Sequence, residues 1–350
     1  MTIFHVAFVS ILALNAITKC RVSERGRKVF CILSGTIYFL IAALRGYHVG
    51  FDTFNYFYSF KQASQLGFLN SLLLSSKGEP LFYGFLWLVS YLTGSFTAVL
   101  AIVALFFTAS VWLYIYRYSE DPFLSILMLL AFNVYQFSLT GMRQTMAMSF
   151  ACLALVAMKE RRNLLALFLI VLGAQFHKTG YLFLVLFPLK KYKLSINMLY
   201  LSVVALVGVF LGRTQIASLL IPYINERGYS LSLSSSGYTM AFVIFMLYLC
   251  CVVFVKEYKY SFQEIGIEFW ILLIAVFFEI LVTAQNIFFR FAFYFLMGGF
   301  VLIPNVIASV LNLNSQRIIR MALYLLLSIQ YLVFTMGSSG VLPYQFFWQG

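Results

Sequence analysis

Charge is scarce in this sequence: Asp, Glu, Lys and Arg make up 10% of its 350 residues, and only 11 are acidic. So few carboxylates offer no metal-binding cluster, and neither a metal nor another cofactor is expected. Five cysteines (Cys20, Cys31, Cys152, Cys250, Cys251) show no C-x-x-C and no Cys/His pairing. They support neither a disulfide framework nor a zinc site. Histidine occurs three times. The apolar N-terminus has no basic run before it and no small-residue cleavage site after it, so a retained helix is expected rather than a signal peptide. Internal repeats, coiled-coil heptads and a soluble domain are also missing.

Apolar surface fills the space. The chain is 63% hydrophobic, with 39 Phe, 23 Tyr and a mean hydropathy of +0.93. A soluble domain of this length could not hide that surface. Apolar runs of about 15–20 residues, separated by short polar turns, read as membrane-spanning helices. Hydrocarbon requires each segment to satisfy its own backbone, so the expected fold is all-α, a polytopic helix bundle forming one integral membrane domain over residues 1–350. The net charge of +13 would suggest nucleic acid in a soluble protein. Here lysines and arginines gather in turns on one side of a membrane, as cytoplasmic loops do, so membrane lipids are expected as partners and nucleic acid is not.

Topology follows from those turns. Thr2–Thr18 precedes Lys19, Arg21, Arg25, Arg27 and Lys28, the densest basic cluster, which marks a cytoplasmic turn. Val29–Leu44 returns to the outer face at Arg45, and a polar loop is expected from there to about Lys77. Leu81–Thr93 is too short for an ordinary span and suits a re-entrant piece, with Phe68–Ser75 as its other arm. Spans near Ser95–Tyr116 and Phe123–Leu139 follow, then a helix opened from outside by Arg143-Gln144. Lys159, Arg161 and Arg162 lie inside, the His177 turn outside, and Lys190, Lys191 and Lys193 inside. Ile196–Leu211 leads to a second outer loop, Gly212–Gly237, containing Arg213, Glu226 and Arg227. Spans near Tyr238–Val255, Glu264–Thr283, Ile287–Val310 and Met321–Met336 complete a scheme of about twelve crossings plus the re-entrant segment.

Isolated polar residues then collect on the outer side. Arg45, Arg143, Lys178 and Arg290 each end a helix there, near Asp52, Glu79, His177, Gln144, Gln285 and Asn286. One such cation can simply snorkel to lipid phosphate. Three arginines with a lysine and a histidine form a cationic cavity suited to a polyanion, since a guanidinium fork grips two oxygens of a diphosphate. Glu279 inside a span is a further functional candidate or an arginine partner.

Taken in order, Arg45-Gly46, Asp52-Thr53, Asn55-Tyr56, Glu79-Pro80-Leu81-Phe82, Arg143-Gln144, Phe176-His177-Lys178-Thr179-Gly180 and Arg290-Phe291 with Tyr294 resemble the motif series of the EpsG/Wzy-type polysaccharide polymerases. The resemblance covers nearly the whole chain. Family members often carry serine after the histidine; Lys178-Thr179 stands here, so no role for that position carries over. The resemblance implies a glycosyltransferase at the outer face of the bacterial cytoplasmic membrane that polymerises undecaprenyl-diphosphate-linked oligosaccharides into O-antigen or capsule. A chain-length regulator protein would be a further partner. Arg45, Arg143, Gln144, Lys178, Arg290 and Tyr294 would bind diphosphate or sugar.

The chemistry needs no metal, because the leaving group is already a diphosphate that arginines can stabilise. The acceptor hydroxyl needs a base. His177 suits that task at neutral pH, while Asp52 and Glu79 are rivals that could instead hold sugar hydroxyls or orient arginines. An O-antigen ligase would use a similar donor and similar residues. A transporter should show paired halves or corresponding broken helices, which the sequence lacks. A membrane O-acyltransferase would need a deeper histidine.

Overall fold

A computed structural model describes residues 2–74, 78–192, 194–224, 237–262 and 265–349. Among these, helices account for every extended element, and the one β-bridge joins Arg45 to Phe346. The chain forms two compact units, Met1–Leu184 with Leu323–Gly350, and Val185–Ala322.

The first unit begins with α1 (Ile3–Thr18) and α2 (Glu24–Ala43), followed by α3 (Thr53–Ser64), α4 (Phe68–Leu73) and α5 (Pro80–Thr93). Next come α6 (Phe96–Tyr118), α7 (Pro122–Ala131), α8 (Val134–Ser138), α9 (Met142–Lys159) and α10 (Asn163–Ala174), then a 3₁₀ segment, Lys178–Val185. Capping explains several starts. The Ser23 side chain accepts from the Gly26 N–H, and Asp121 accepts from Leu124 ahead of Pro122 in the first turn of α7. Helix α5 stops at Gly94, whose φ of +64° is costly for a residue with a Cβ.

The second unit contains α11 (Leu186–Lys191), α12 (Ile196–Leu211), α13 (Arg213–Ile224), α14 (Tyr238–Val253), α15 (Val255–Phe262), α16 (Ile267–Val282), a 3₁₀ turn at Asn286–Phe288, and α17 (Phe289–Ser309). Helix α18 (Leu313–Gln330) runs from this unit into the first. Gly298 and Gly299 let α17 approach α16 closely: a Cβ at Gly298 would meet Ile271 at 2.4 Å, and one at Gly299 would meet Leu272 at 2.9 Å. Small residues at such a seam are the usual route to tight helix packing in membranes.

Four described segments are long and apolar enough to cross a membrane: Glu24–Ala43, Phe96–Tyr118, Asn286–Ser309 and Leu313–Thr335. The bent pairs α12/α13 (79°) and α14/α15 (61°) raise this to six. Helices α1, α5, α7 and α10 are apolar but shorter.

Several expectations change. The polar loop after Arg45 is largely helical, because Thr53, Tyr56, Phe60 and Ala63 fall at helical spacing and bury one face of α3. The start of the second outer loop is helix α13, while Glu226 and Arg227, like Lys77 and Lys193, lie outside the described residues. Phe123–Leu139 is broken at Asn133, which adopts φ +62° between α7 and α8. The apolar stretch after His177 opens as 3₁₀ rather than α-helix.

Ion pairs mark one end of the first unit. Arg117 meets Glu160 at 2.5 Å, Arg162 meets Glu160 at 3.5 Å, and Arg27 meets Glu120 at 3.7 Å. The C-terminus of α9 therefore sits among basic side chains. Its N-terminus, bearing Arg143, lies roughly 25 Å away along the helix.

Candidate active site

Three segments remote in sequence meet in the first unit. Glu79 precedes α5, immediately before Pro80, a residue suited to the first helical position because it lacks an N–H. Gly78 before it has φ +65°, and a Cβ there would come within 2.9 Å of the Lys178 Cε. Glycine is thus favoured by the backbone conformation, while a Cβ there would only push aside the tip of the Lys178 side chain. Arg143 lies in the first turn of α9. His177 follows α10, with its N–H donating to the Gly173 carbonyl at 3.1 Å. Gly173 also allows α10 to lie against α9, since a Cβ there would meet the Phe150 Cβ at 2.7 Å and the Ala147 oxygen at 3.3 Å. That close approach brings the end of α10 level with the start of α9.

Glu79 joins the other two side chains. Its Oε2 accepts from the Arg143 Nη1 at 2.5 Å, and its Oε1 lies 2.8 Å from the His177 Nδ1. The Lys178 backbone N–H donates to the same Oε1 at 3.3 Å. Glu79 is fully buried and His177 nearly so, whereas the Arg143 side chain keeps 17% of its surface. Burial opposes ionisation of Glu79. The His177 hydrogen bond, the Arg143 charge and the Lys178 N–H outweigh it and hold the carboxyl down at about 2. The carboxylate faces the Nδ1 side of the imidazole, which puts Nε2 on the far side of the ring.

The surroundings are aromatic. The Arg143 guanidinium lies 5.9 Å from the Tyr56 ring centroid and within hydrogen-bonding reach of its hydroxyl, and Tyr83 faces the same charge. Tyr56 packs edge-on to Phe82 at 5.3 Å, and Phe176, next to His177, stacks on Phe150 at 5.5 Å.

Residues 28–346 match a family of membrane polymerases, the EpsG family, which is the family of Wzy-type polysaccharide polymerases. This chain belongs to the EpsG family. Neither the curated proteins nor the solved structures give a match to it. The family places the chain among polysaccharide polymerase-like membrane proteins.

Of the residues singled out from the sequence of this EpsG-family chain, Glu79, Arg143, His177 and Lys178 come together. Arg45 is buried at 1% exposure at the end of α2. Its Nη1 donates to the Ala42 carbonyl, its backbone bridges Phe346, and Tyr135 and Tyr344 are its electrostatic neighbours. Asp52 precedes α3, and its N–H donates to the Thr140 hydroxyl at 2.9 Å. Gln144 is buried, with its amide 3.8 Å from the Met148 sulfur. Arg290 and Tyr294 belong to the second unit, where Arg290 lies 5.7 Å from the Phe289 ring centroid and Tyr294 is fully buried. Glu279 is buried in the same unit on α16. No group of three metal-ligating side chains occurs among the described residues. Tyr56 and Tyr83 are the additions. Tyr56 lies in the Asn55-Tyr56 motif, but only the helical register of α3 turns it toward Arg143.

Proposed function

We propose that this protein polymerises lipid-linked oligosaccharide repeat units into O-antigen or capsular polysaccharide, at the outer face of the bacterial cytoplasmic membrane. The growing glycan, held on undecaprenyl diphosphate, is transferred to a hydroxyl of an incoming lipid-linked unit. The observation that carries this reading is the Glu79 bridge between His177 Nδ1 and Arg143. In the proposed step the acceptor oxygen attacks the donor's reducing-end carbon while its proton moves to His177 Nε2. The bond from that carbon to the diphosphate oxygen breaks, and undecaprenyl diphosphate leaves. Glu79 stabilises the imidazolium that forms, as a buried carboxylate does behind a catalytic histidine. Arg143 stabilises charge on the departing diphosphate.

Arg290, Arg45 and Lys178 are assigned to substrate binding on the resemblance. The outward orientation is supported by the basic side chains at the far end of α9, the end expected in the cytoplasm. The reading includes about twelve crossings of a single membrane domain and a chain-length regulator as partner.

Deleting the gene and resolving surface glycans by chain length tests the function. A polymerase loss leaves carrier or lipid A capped by single repeat units, because assembly, flipping and ligation continue. Bare acceptor with long polymer retained on the carrier would point to a ligase instead. Absence of both outside would point to a flippase.

A further inference from the structure

Two cavities that share Tyr116 lie at the opposite end of the first unit. A polar pocket of about 400 Å³ is lined by Arg21, Ser23, Glu24, Arg27, Tyr116 and Arg117. It carries three guanidiniums against one carboxylate. Tyr116 also lines a second cavity of about 340 Å³, an apolar groove between α2 and α6. Ile32, Gly35, Phe39, Leu105, Ala109 and Trp112 form its walls, and Lys28 stands at the end nearest the arginines. Gly35 gives the groove its depth, since a Cβ there would press on the Trp112 ring at 3.1 Å.

Charge and shape together specify the occupant. From Lys28 to Phe39 the groove follows α2 for about 16 Å, roughly half of a 30 Å hydrocarbon core and hence the depth of one leaflet. Its apolar walls suit an acyl chain. The adjoining guanidiniums suit a phosphate, gripped by forked donors. Their protein partners leave part of each surface open: Arg27 remains 22% exposed with Glu120 at 3.7 Å, and Arg117 remains 43% exposed while paired with Glu160. Basic pockets at helix ends are a recurrent site for anionic lipid headgroups. We infer that this composite site holds one anionic glycerophospholipid, its phosphate among Arg21, Arg27 and Arg117 and one acyl chain along the α2/α6 groove. The inference needs only a membrane around the chain. It stands apart from the glycan chemistry, about 25 Å away along α9.

Full-length protein in detergent, titrated with phosphatidylglycerol or phosphatidylcholine of equal chain length and read by native mass spectrometry, tests it. Wild type should bind one phosphatidylglycerol roughly 30- to 150-fold more tightly than phosphatidylcholine, the scale expected of two or three surface cations. Arg21→Gln with Arg27→Gln should remove most of that preference, and phosphatidylcholine, whose phosphate meets the same arginines but whose choline cancels its charge, should weaken by less. Ala109→Trp, which fills an exposed part of the groove, should weaken both lipids. Dihexanoyl phosphatidylglycerol should bind wild type at least tenfold more weakly than the long-chain lipid, a measure of the groove that needs no variant. Helical circular dichroism confirms that each variant is folded. Equal affinity for the two headgroups in wild type, or an intact preference in the double variant, overturns the headgroup half. Equal affinity for short and long chains overturns the groove.

Discussion

Glu79→Gln is nearly isosteric, yet the structure predicts it to be severe. The carboxylate accepts on both oxygens: Oε2 from Arg143, Oε1 from the Lys178 N–H and facing His177 Nδ1. A glutamine has one oxygen and one NH₂, so one orientation turns the NH₂ at Arg143, donor against donor. The other keeps the Arg143 bond but turns the NH₂ at the Lys178 N–H and at Nδ1. His177 could then accept only by carrying its proton on Nε2, the nitrogen proposed as base. Either orientation disables the site. Turnover should fall by roughly 10³–10⁴-fold, the scale seen when a buried carboxylate behind a catalytic histidine becomes an amide. The stability cost is separate. A carboxyl held near 2 instead of 4.5 reflects about 3 kcal/mol of favourable interaction with its charged form. The assay is polymer formation from purified lipid-linked repeat unit by detergent-solubilised protein, with thermal melting measured on the same preparation. A folded Glu79→Gln protein that polymerises within threefold of wild type would refute the dyad.

Arg143→Lys keeps the charge but loses the planar fork, and should cost about 10²-fold in polymerisation, with Arg143→Ala little worse; a fully active lysine variant would reduce Arg143 to a point charge. His177→Gln should retain lipid-linked substrate binding while turnover drops roughly 10²–10⁴-fold, whereas Lys178→Gln, at an exposed side chain assigned to substrate binding, should raise KM and leave turnover nearly unchanged; equal losses of turnover from both would remove the base assignment. Gly78→Ala should lower stability by about 1–2 kcal/mol from its positive φ alone, and adding Lys178→Ala should recover only the part due to the steric contact; a melting temperature equal to wild type would show that the turn is not held as described. Acid should act through Glu79 in a defined window: its folded value is depressed, so its contribution is intact above about pH 4.5 and is lost as pH falls toward 2. Melting curves from pH 6 to pH 3 should steepen in wild type and flatten in Glu79→Gln, and parallel curves would contradict this.

Composition alone settled that the chain is a helical membrane protein, because no packing arrangement can hide 63% hydrophobic residues in water. Charge at helix ends was equally legible: Arg143, His177 and Glu79 stood out because a membrane makes isolated polar residues costly wherever they fall. The sequence was misleading where hydropathy served as the sole ruler. Helix α3 reads as a polar loop by average hydropathy, although its buried face repeats at Thr53, Tyr56, Phe60 and Ala63.

Tertiary structure decided how the polar residues combine. Glu79 and Asp52 looked like rivals of His177 for the role of base. In the fold Glu79 bonds His177 across 98 residues and Arg143 across 64, while Asp52 sits at the Thr140 turn. Those pairings depend on Gly173 letting α10 lie on α9 and on the positive φ of Gly78 in the turn that presents Glu79. Periodicity along one chain carries no information about which helix ends meet. That is determined by side-chain volume at the seams, where the absence of one Cβ sets how closely two helices approach and which end residues come into register.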